Sequence, residues 1–189
     1  MSDEDSPTVE KTESQGFSLW FGESKVVDEE GRPKAMYHGT DAEEEFTRFE
    51  VTEDVGFHFG PPKTASARLA QIEPSDHARI IPVYLSIKNP LRLPDLMTWG
   101  PGEAVLALGN AGVLSKRRTR ELLDEGYFDE VDFRRALERK GYDGVVYRNS
   151  TEGGGDSYIA LRPVQVRFAI GHRATFESKD PGIGCPARA

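Results

Sequence analysis

Three short stretches of the chain gather polar groups at the ends of extended segments: YHGT at 37–40, GFHFG at 56–60 and TEGGGDSYI at 151–159. His38 offers ring nitrogens as donor or acceptor, and Gly39 beside it bares its main chain to whatever approaches. His58 alternates with Phe57 and Phe59, so a strand there turns two phenylalanines to one face and the imidazole to the other. Glu152 precedes three glycines, and Asp156 and Ser157 follow them. Such groups can seat a polar ligand and steady positive charge. They do not make a metal cage, because His38 and His58 have no closely spaced His or Cys partner. The one cysteine, Cys185, permits no disulfide within the chain and lies in the Gly/Pro-rich GIGCPARA, where nothing holds a reactive thiolate. Each stretch alone also has a plain reading, as a strand end, a core histidine or a flexible connector. The weight rests on their combination.

The elements that must bring these groups together follow from pattern and punctuation. GFSLWFG at 16–22 packs aromatics that cap one end of the core. SKVVDEEGRPKAMYHGT reads as strand, turn at Glu30-Gly31-Arg32-Pro33, strand. PPKTASARLAQI opens on Pro61-Pro62 and continues as a helix. ARIIPVYLSIKNPLRLPD reads as the best strand, with a proline-punctuated exit. Three helical segments between 103 and 140 each end at glycine. YDGVVYRN and SYIALRPVQVRFAI close the chain as strands. Strands, a helical insert and strands again make an α+β fold rather than alternating βαβ units. Tyr37 reads as core or as a second pocket wall, Asp143 as a turn residue and Gln165 as structural.

At 189 residues the expectation is one domain over 16–172, between a disordered acidic tail at 1–15 and a flexible C-terminal tail at 173–189. A net charge of -8 argues against tight non-specific binding to nucleic acid. The single dense basic run, SKRRTRELL at 115–123, reads as a solvated helix face. No stretch approaches the roughly 20 apolar residues of a membrane span, and the first residues lack a signal peptide's pattern. The expected location is therefore the cytoplasm. Neither GxGxxG nor GxxxxGK[ST] occurs, so Rossmann and P-loop nucleotide sites have no support.

Taken in order, FSLWFGESKVVDEEGRPKAMYHGT, GFHFG, VYLSIKNPLRLPD and GYDGVVYRNSTEGGGDSYIALRPVQV resemble the ADP-ribosyltransferase domains of phage polyvalent proteins. These belong to the poly(ADP-ribose) polymerase-like, or diphtheria-toxin-like, superfamily, and the resemblance covers roughly residues 17–170. It implies a split, twisted β-sandwich with a helical insert that grips NAD between its sheets. NAD would be the substrate, its ADP-ribose passing to a protein or nucleic acid in the cytoplasm, of a host cell if the chain is phage-encoded. The implied NAD-binding residues are Tyr37, His38, Gly39 and Thr40 in the first motif, Phe57 and His58 in the second, and Tyr158 in the third. His38 would bond a ribose hydroxyl, Gly39 the nicotinamide amide through its backbone, and His58 would stack where relatives use tyrosine.

The third motif departs from the pattern. Aligning SYIAL with the strand that carries a glutamate in active relatives puts Ser157 at that place. A hydroxyl supplies no negative charge for the oxocarbenium ion that forms as the nicotinamide bond breaks. Glu152, folded back over its glycines, and Asp156, which strand alternation turns the other way, are the two candidate replacements. Two further outcomes stay open: a catalytically weak or inactive module that binds NAD or ADP-ribose, and RNA 2'-phosphotransfer. The last calls for clustered arginines that the site stretches lack.

Overall fold

Hydrogen-bonded pairing sorts the strands into two sheets. The computed structural model describes residues 15–44, 46, 48–50, 55–72, 74–169 and 174–175. Residues 15–21 form helix α1. Then come β1 (Met36–Thr40), β2 (Phe57–Phe59), α2 (Pro62–Ala70), β3 (Arg79–Leu85) and β4 (Pro90–Leu93). The helices α3 (Pro101–Asn110), α4 (Lys116–Glu125) and α5 (Glu130–Arg139) follow, then β5 (Gly144–Arg148) and β6 (Asp156–Ala160). A 3-10 turn at Pro163–Gln165 leads to β7 (Val166–Phe168) and β8 (Ala174–Thr175). One sheet has the order β1-β3-β7 with β8 also on β3, and the other β2-β6-β5-β4. Only β4 and β5 pair in parallel; every other named pairing is antiparallel.

The inner faces meet through Met36, Val83, Leu85 and Ile87 on one side and Phe57, Phe59 and Ala160 on the other. Phe49 wedges between them, its ring within 5.6 Å of the ring centres of Phe57, Phe59 and Phe168. The outer face of the second sheet, with Leu91, Val145 and Ile159, is covered by Val105, Leu108, Phe133 and Leu137 of the helical insert. Helix ends follow their chemistry. Ser115 accepts from Arg118 N–H at 3.2 Å to start α4, and Gly126 ends it at φ +68°. Asp129 accepts from Asp132 N–H to start α5.

Two polar links, one of them buried, tie the sheets together. Gln165 Oε1 accepts from the amides of Leu161 and Arg162, and its Nε2 donates to the carbonyls of Ser86 and Asp143. The Asp143 carboxylate in turn accepts from the amides of Lys88 and Asn89, at 2.7 Å each. Both residues are thus structural, one clasping β6 to the 86–89 turn and the other closing that turn.

The fold is the expected α+β sandwich with a helical insert, but four local readings change. GFSLWFG is helical through Phe21, not simply an aromatic cap. The first hairpin is only a turn: Asp28 and Arg32 close it and a lone Val27–Pro33 bridge flanks it, while β1 pairs with β3 instead. The long strand at 78–95 is two strands in different sheets, broken at Ser86–Asn89. Strand pairing runs past residue 172, because β8 lies against Arg79 and Ile80. Residues 1–14 of the acidic tail and Cys185 in the C-terminal tail lie outside the described residues.

Candidate functional site

The edges of β1 and β2 meet at a mutual backbone pair, Tyr37 N to Gly60 O at 2.8 Å and Gly60 N to Tyr37 O at 3.0 Å. Beside this seam opens a cleft of about 1260 Å³. That exceeds the roughly 300–1,000 Å³ of ordinary small-molecule sites and suits an elongated ligand.

Strand alternation dictates what β1 presents there. The main chain of Tyr37 points away from β3 to reach Gly60, so the main chain of Gly39, two residues on, points the same way along the cleft edge. The absent side chain has a second cause. A Cβ on Gly39 would stand 2.8 Å from both the Ala65 carbonyl oxygen and Leu69 Cγ. Glycine here lets α2 pack on β1 as well as leaving the edge open.

His38 Nδ1 lies 2.9 Å from the carbonyl oxygen of His58. A carbonyl only accepts, so Nδ1 carries the hydrogen and Nε2 is the ring's acceptor when the imidazole is neutral. The rings of Phe49 and Phe59 hold the imidazole from the side, at 5.1 and 5.6 Å. Thr40 Oγ1 accepts from Ala42 N–H and caps the turn that leaves β1. Tyr37 is both wall and core: it lines the cleft and packs with Leu69 and Ile80.

On β2, His58 turns to the face opposite Phe57 and Phe59. It meets Trp99 edge-on at 5.8 Å and stands with Nδ1 3.4 Å from the Tyr147 hydroxyl. Phe57 is buried in the inter-sheet core and contributes a wall rather than an exposed ring. Burial, and then the carboxylates of Glu152 and Asp95, push the Tyr147 phenol up to about 12, while Ser157 and Asn149 beside it partly oppose this. Tyr147 is therefore a protonated donor at physiological pH.

Ser157 shares this floor at 1% exposure, and its hydroxyl has no hydrogen-bond partner among the described residues. A buried hydroxyl left so costs about 1–3 kcal/mol unless a ligand completes it. Glu152 reaches the same cleft from the loop after β5. Gly153, Gly154 and Gly155 hold φ of +97°, +80° and +95°, a path side-chain-bearing residues rarely take, and they turn the loop back toward α2. The Glu152 side chain is 16% exposed; its Oε2 accepts from Asn149 Nδ2 at 2.8 Å, and its Oε1 stands 3.7 Å from Arg68 of α2.

Two candidates fall elsewhere. Asp156 lies on the opposite face of β6, where Arg92 bonds both its oxygens at 3.1 and 2.7 Å and holds the carboxyl below its usual range. Tyr158 shares that face and packs on the inter-sheet core. Neither lines the cleft, because strand alternation puts both side chains on the far side from Ser157. Sequence reasoning had not singled out Trp99, Tyr147, Arg68 or Asn149. The first three are brought in by tertiary packing alone. Asn149 did leave a signal: Asn-x-x-Glu is the spacing at which a side-chain carbonyl caps the amide three residues on.

A two-sheet α+β sandwich with a helical insert is consistent with the fold of an ADP-ribosyltransferase. The chain belongs to that class, in the family described as ADP-ribosyltransferase in polyvalent proteins, whose model matches residues 28–176. It is a transferase by family. No curated protein and no solved structure matches it. Among the described residues no group of three or more His, Cys, Asp or Glu is placed to hold a metal ion, and no helix is long and apolar enough to cross a membrane.

Proposed function

We propose that this chain is an NAD-dependent mono-ADP-ribosyltransferase, with a cytoplasmic protein or nucleic acid as acceptor and Glu152 as its catalytic carboxylate. The observation that carries the reading is the meeting of three things in one cleft: the outward main chain of Gly39, the buried hydroxyl of Ser157, and the Glu152 carboxylate. In this reading the Gly39 main chain bonds the nicotinamide amide, and His38 Nε2 accepts from a ribose hydroxyl. His58 packs on the pyridine ring, and Ser157 bonds a ribose oxygen.

The bond between nicotinamide nitrogen and ribose C1' breaks with its electron pair going to nicotinamide, which leaves neutral. The ribosyl oxocarbenium ion that remains is steadied by the Glu152 carboxylate until the acceptor's nucleophilic atom bonds C1' and loses its proton. Ser157 stands where chain-extending relatives carry glutamate, so one transfer per acceptor site is expected rather than a polymer.

The test is incubation with labelled NAD and lysate, reading free nicotinamide and transferred label. Activity in the native chain and a drop of about 10²–10³ in Glu152→Gln support the proposal. Calorimetric NAD binding with no nicotinamide released would instead make the chain a binding module, the reading that serine at position 157 favours.

A further inference from the structure

A carboxylate on a triple-glycine loop has a positional problem. The three glycines that let the loop turn back also give it the most conformational freedom a chain can have. Transition-state stabilisation needs the charge fixed to within about half an ångström. Something must remove that freedom.

Asn149 is placed to do so. It is 3% exposed and stands at the mouth of the loop. Its backbone N–H donates to Gly155 O at 2.9 Å, closing the loop's two ends on each other. Its Oδ1 accepts from the amides of Thr151 and Glu152, at 3.2 and 2.8 Å. Its Nδ2 donates to Glu152 Oε2 at 2.8 Å. One side chain thus fixes the main chain of Glu152 with its carbonyl and the carboxylate with its amide. By occupying Oε2 it leaves Oε1 facing Arg68, another cleft-lining residue, whose guanidinium at 3.7 Å makes an ion pair but no hydrogen bond. Asp95 secures the loop from outside, its Oδ2 accepting from Ser150 N–H at 3.1 Å.

Resting on the reading of Glu152 above, we propose that Asn149 is the positioning residue of the reaction: it sets the rotamer of Glu152 so that Oε1 meets the developing charge. In this role it acts through Glu152 rather than on the substrate directly.

Asn149→Asp separates this role from loop support. An aspartate keeps an acceptor oxygen for the two loop amides but replaces the Nδ2 donor with a second carboxylate oxygen, so the two carboxyls share a proton and Glu152 loses its full charge. Asn149→Ser is the uncharged companion, too short to reach Oε2. Thermal unfolding, calorimetric NAD binding and nicotinamide release are measured on the full chain for both. The expected result is a fall in kcat of about 10²-fold with KM for NAD and melting temperature nearly unchanged. In the Glu152→Gln background, Asn149→Asp is expected to cost no further activity, since the carboxylate it positions is gone.

If both variants keep native kcat, or if the losses from the two sites simply multiply, the positioning role is refuted while the Glu152 reading stands. If Glu152→Gln is fully active, or the native chain releases no nicotinamide, the underlying reading fails and this proposal falls with it. A drop in melting temperature that accounts for the lost kcat would make Asn149 a structural residue only.

Discussion

The smallest change that probes the seam is Gly39→Ala. The added methyl carbon would lie 2.8 Å from the carbonyl oxygen of Ala65 and from Leu69 Cγ, and 3.2 Å from Leu69 Cδ1. Ordinary van der Waals contact begins at 3.4 Å, so about 0.6 Å of clearance is missing. The Leu69 side chain, at 1% exposure, has little room to turn aside. The Ala65 oxygen belongs to the backbone of α2 and can retreat only if the helix moves off β1. Overpacking of this kind costs about 1–3 kcal/mol. For a domain of this size each kcal/mol lowers the melting point by about 2–4 °C, so a fall of about 2–12 °C is expected. Because α2 also carries Thr64 and Arg68 into the cleft, NAD affinity should fall together with stability.

Thermal unfolding and calorimetric titration with NAD, run on the same preparations, decide the matter. A variant that melts with the native protein and loses only NAD affinity would refute the packing argument. Glycine would then be there for the ligand alone, the reason the sequence by itself suggests.

Asp156→Asn is expected to leave nicotinamide release unchanged and to lower stability by under about 1 kcal/mol, because the Arg92 partner is 61% exposed. The Asp156 carboxyl is held low, so what the pair contributes is present above the unfolded value and is lost as pH falls through the lowered one; acid titration of the variant against the native protein measures it. For Tyr147 the sign reverses. The folded phenol titrates at about 12 against 10 for the exposed group, so the folded state holds a proton the unfolded state has lost, and stability falls between those values. Tyr147→Phe should remove about 1 kcal/mol per pH unit of that alkaline loss, read by denaturant melts at pH 10 and above. Gln165→Leu strands two amides and two carbonyls and should cost about 3 kcal/mol or more, read by urea unfolding, with a fully stable variant counting against the clasp.

The parts of this fold legible in the sequence were those with a local cause. Prolines at 61 and 62 and glycines after the insert helices mark helix ends through constraints of a few residues, and Phe57-His58-Phe59 shows its faces by alternation. What pairs with what is not local. Residues 78–95 read as one long strand with apolar runs on both sides of Ser86–Asn89, and the polar residues there mark a break without saying that the chain must cross from one sheet to the other. The crossing is fixed from elsewhere, by Ser24 Oγ donating to Leu85 O and by Asp143 on the Lys88 and Asn89 amides. At the site, His38, Gly39 and His58 were visible as residue types. Trp99 and Tyr147 were not, because the pairing of β2 and β5 on either side of β6 brings Tyr147 near His58, and Trp99 reaches it only where the chain enters the helical insert.

In the proposed reading, the placement of the carboxylate on a loop rather than on the strand has an electrostatic reason. Position 157 is 1% exposed and the neutral Tyr147 phenol stands beside its hydroxyl, so a carboxylate there would be buried without a compensating cation. Such a charge escapes by taking up a proton, which would remove the property the reaction needs. The loop answers this by carrying Glu152 to the rim, where it keeps some contact with water, an amide donor in Asn149 and a guanidinium within 3.7 Å. The cost is conformational, since three glycines must be ordered to put it there, and the double closure by Asn149 and Asp95 is where the structure meets that cost. The serine on β6 and the glutamate on the loop are thus two halves of one arrangement, the strand keeping a neutral hydrogen-bonding group on the floor while the charge stands at the edge.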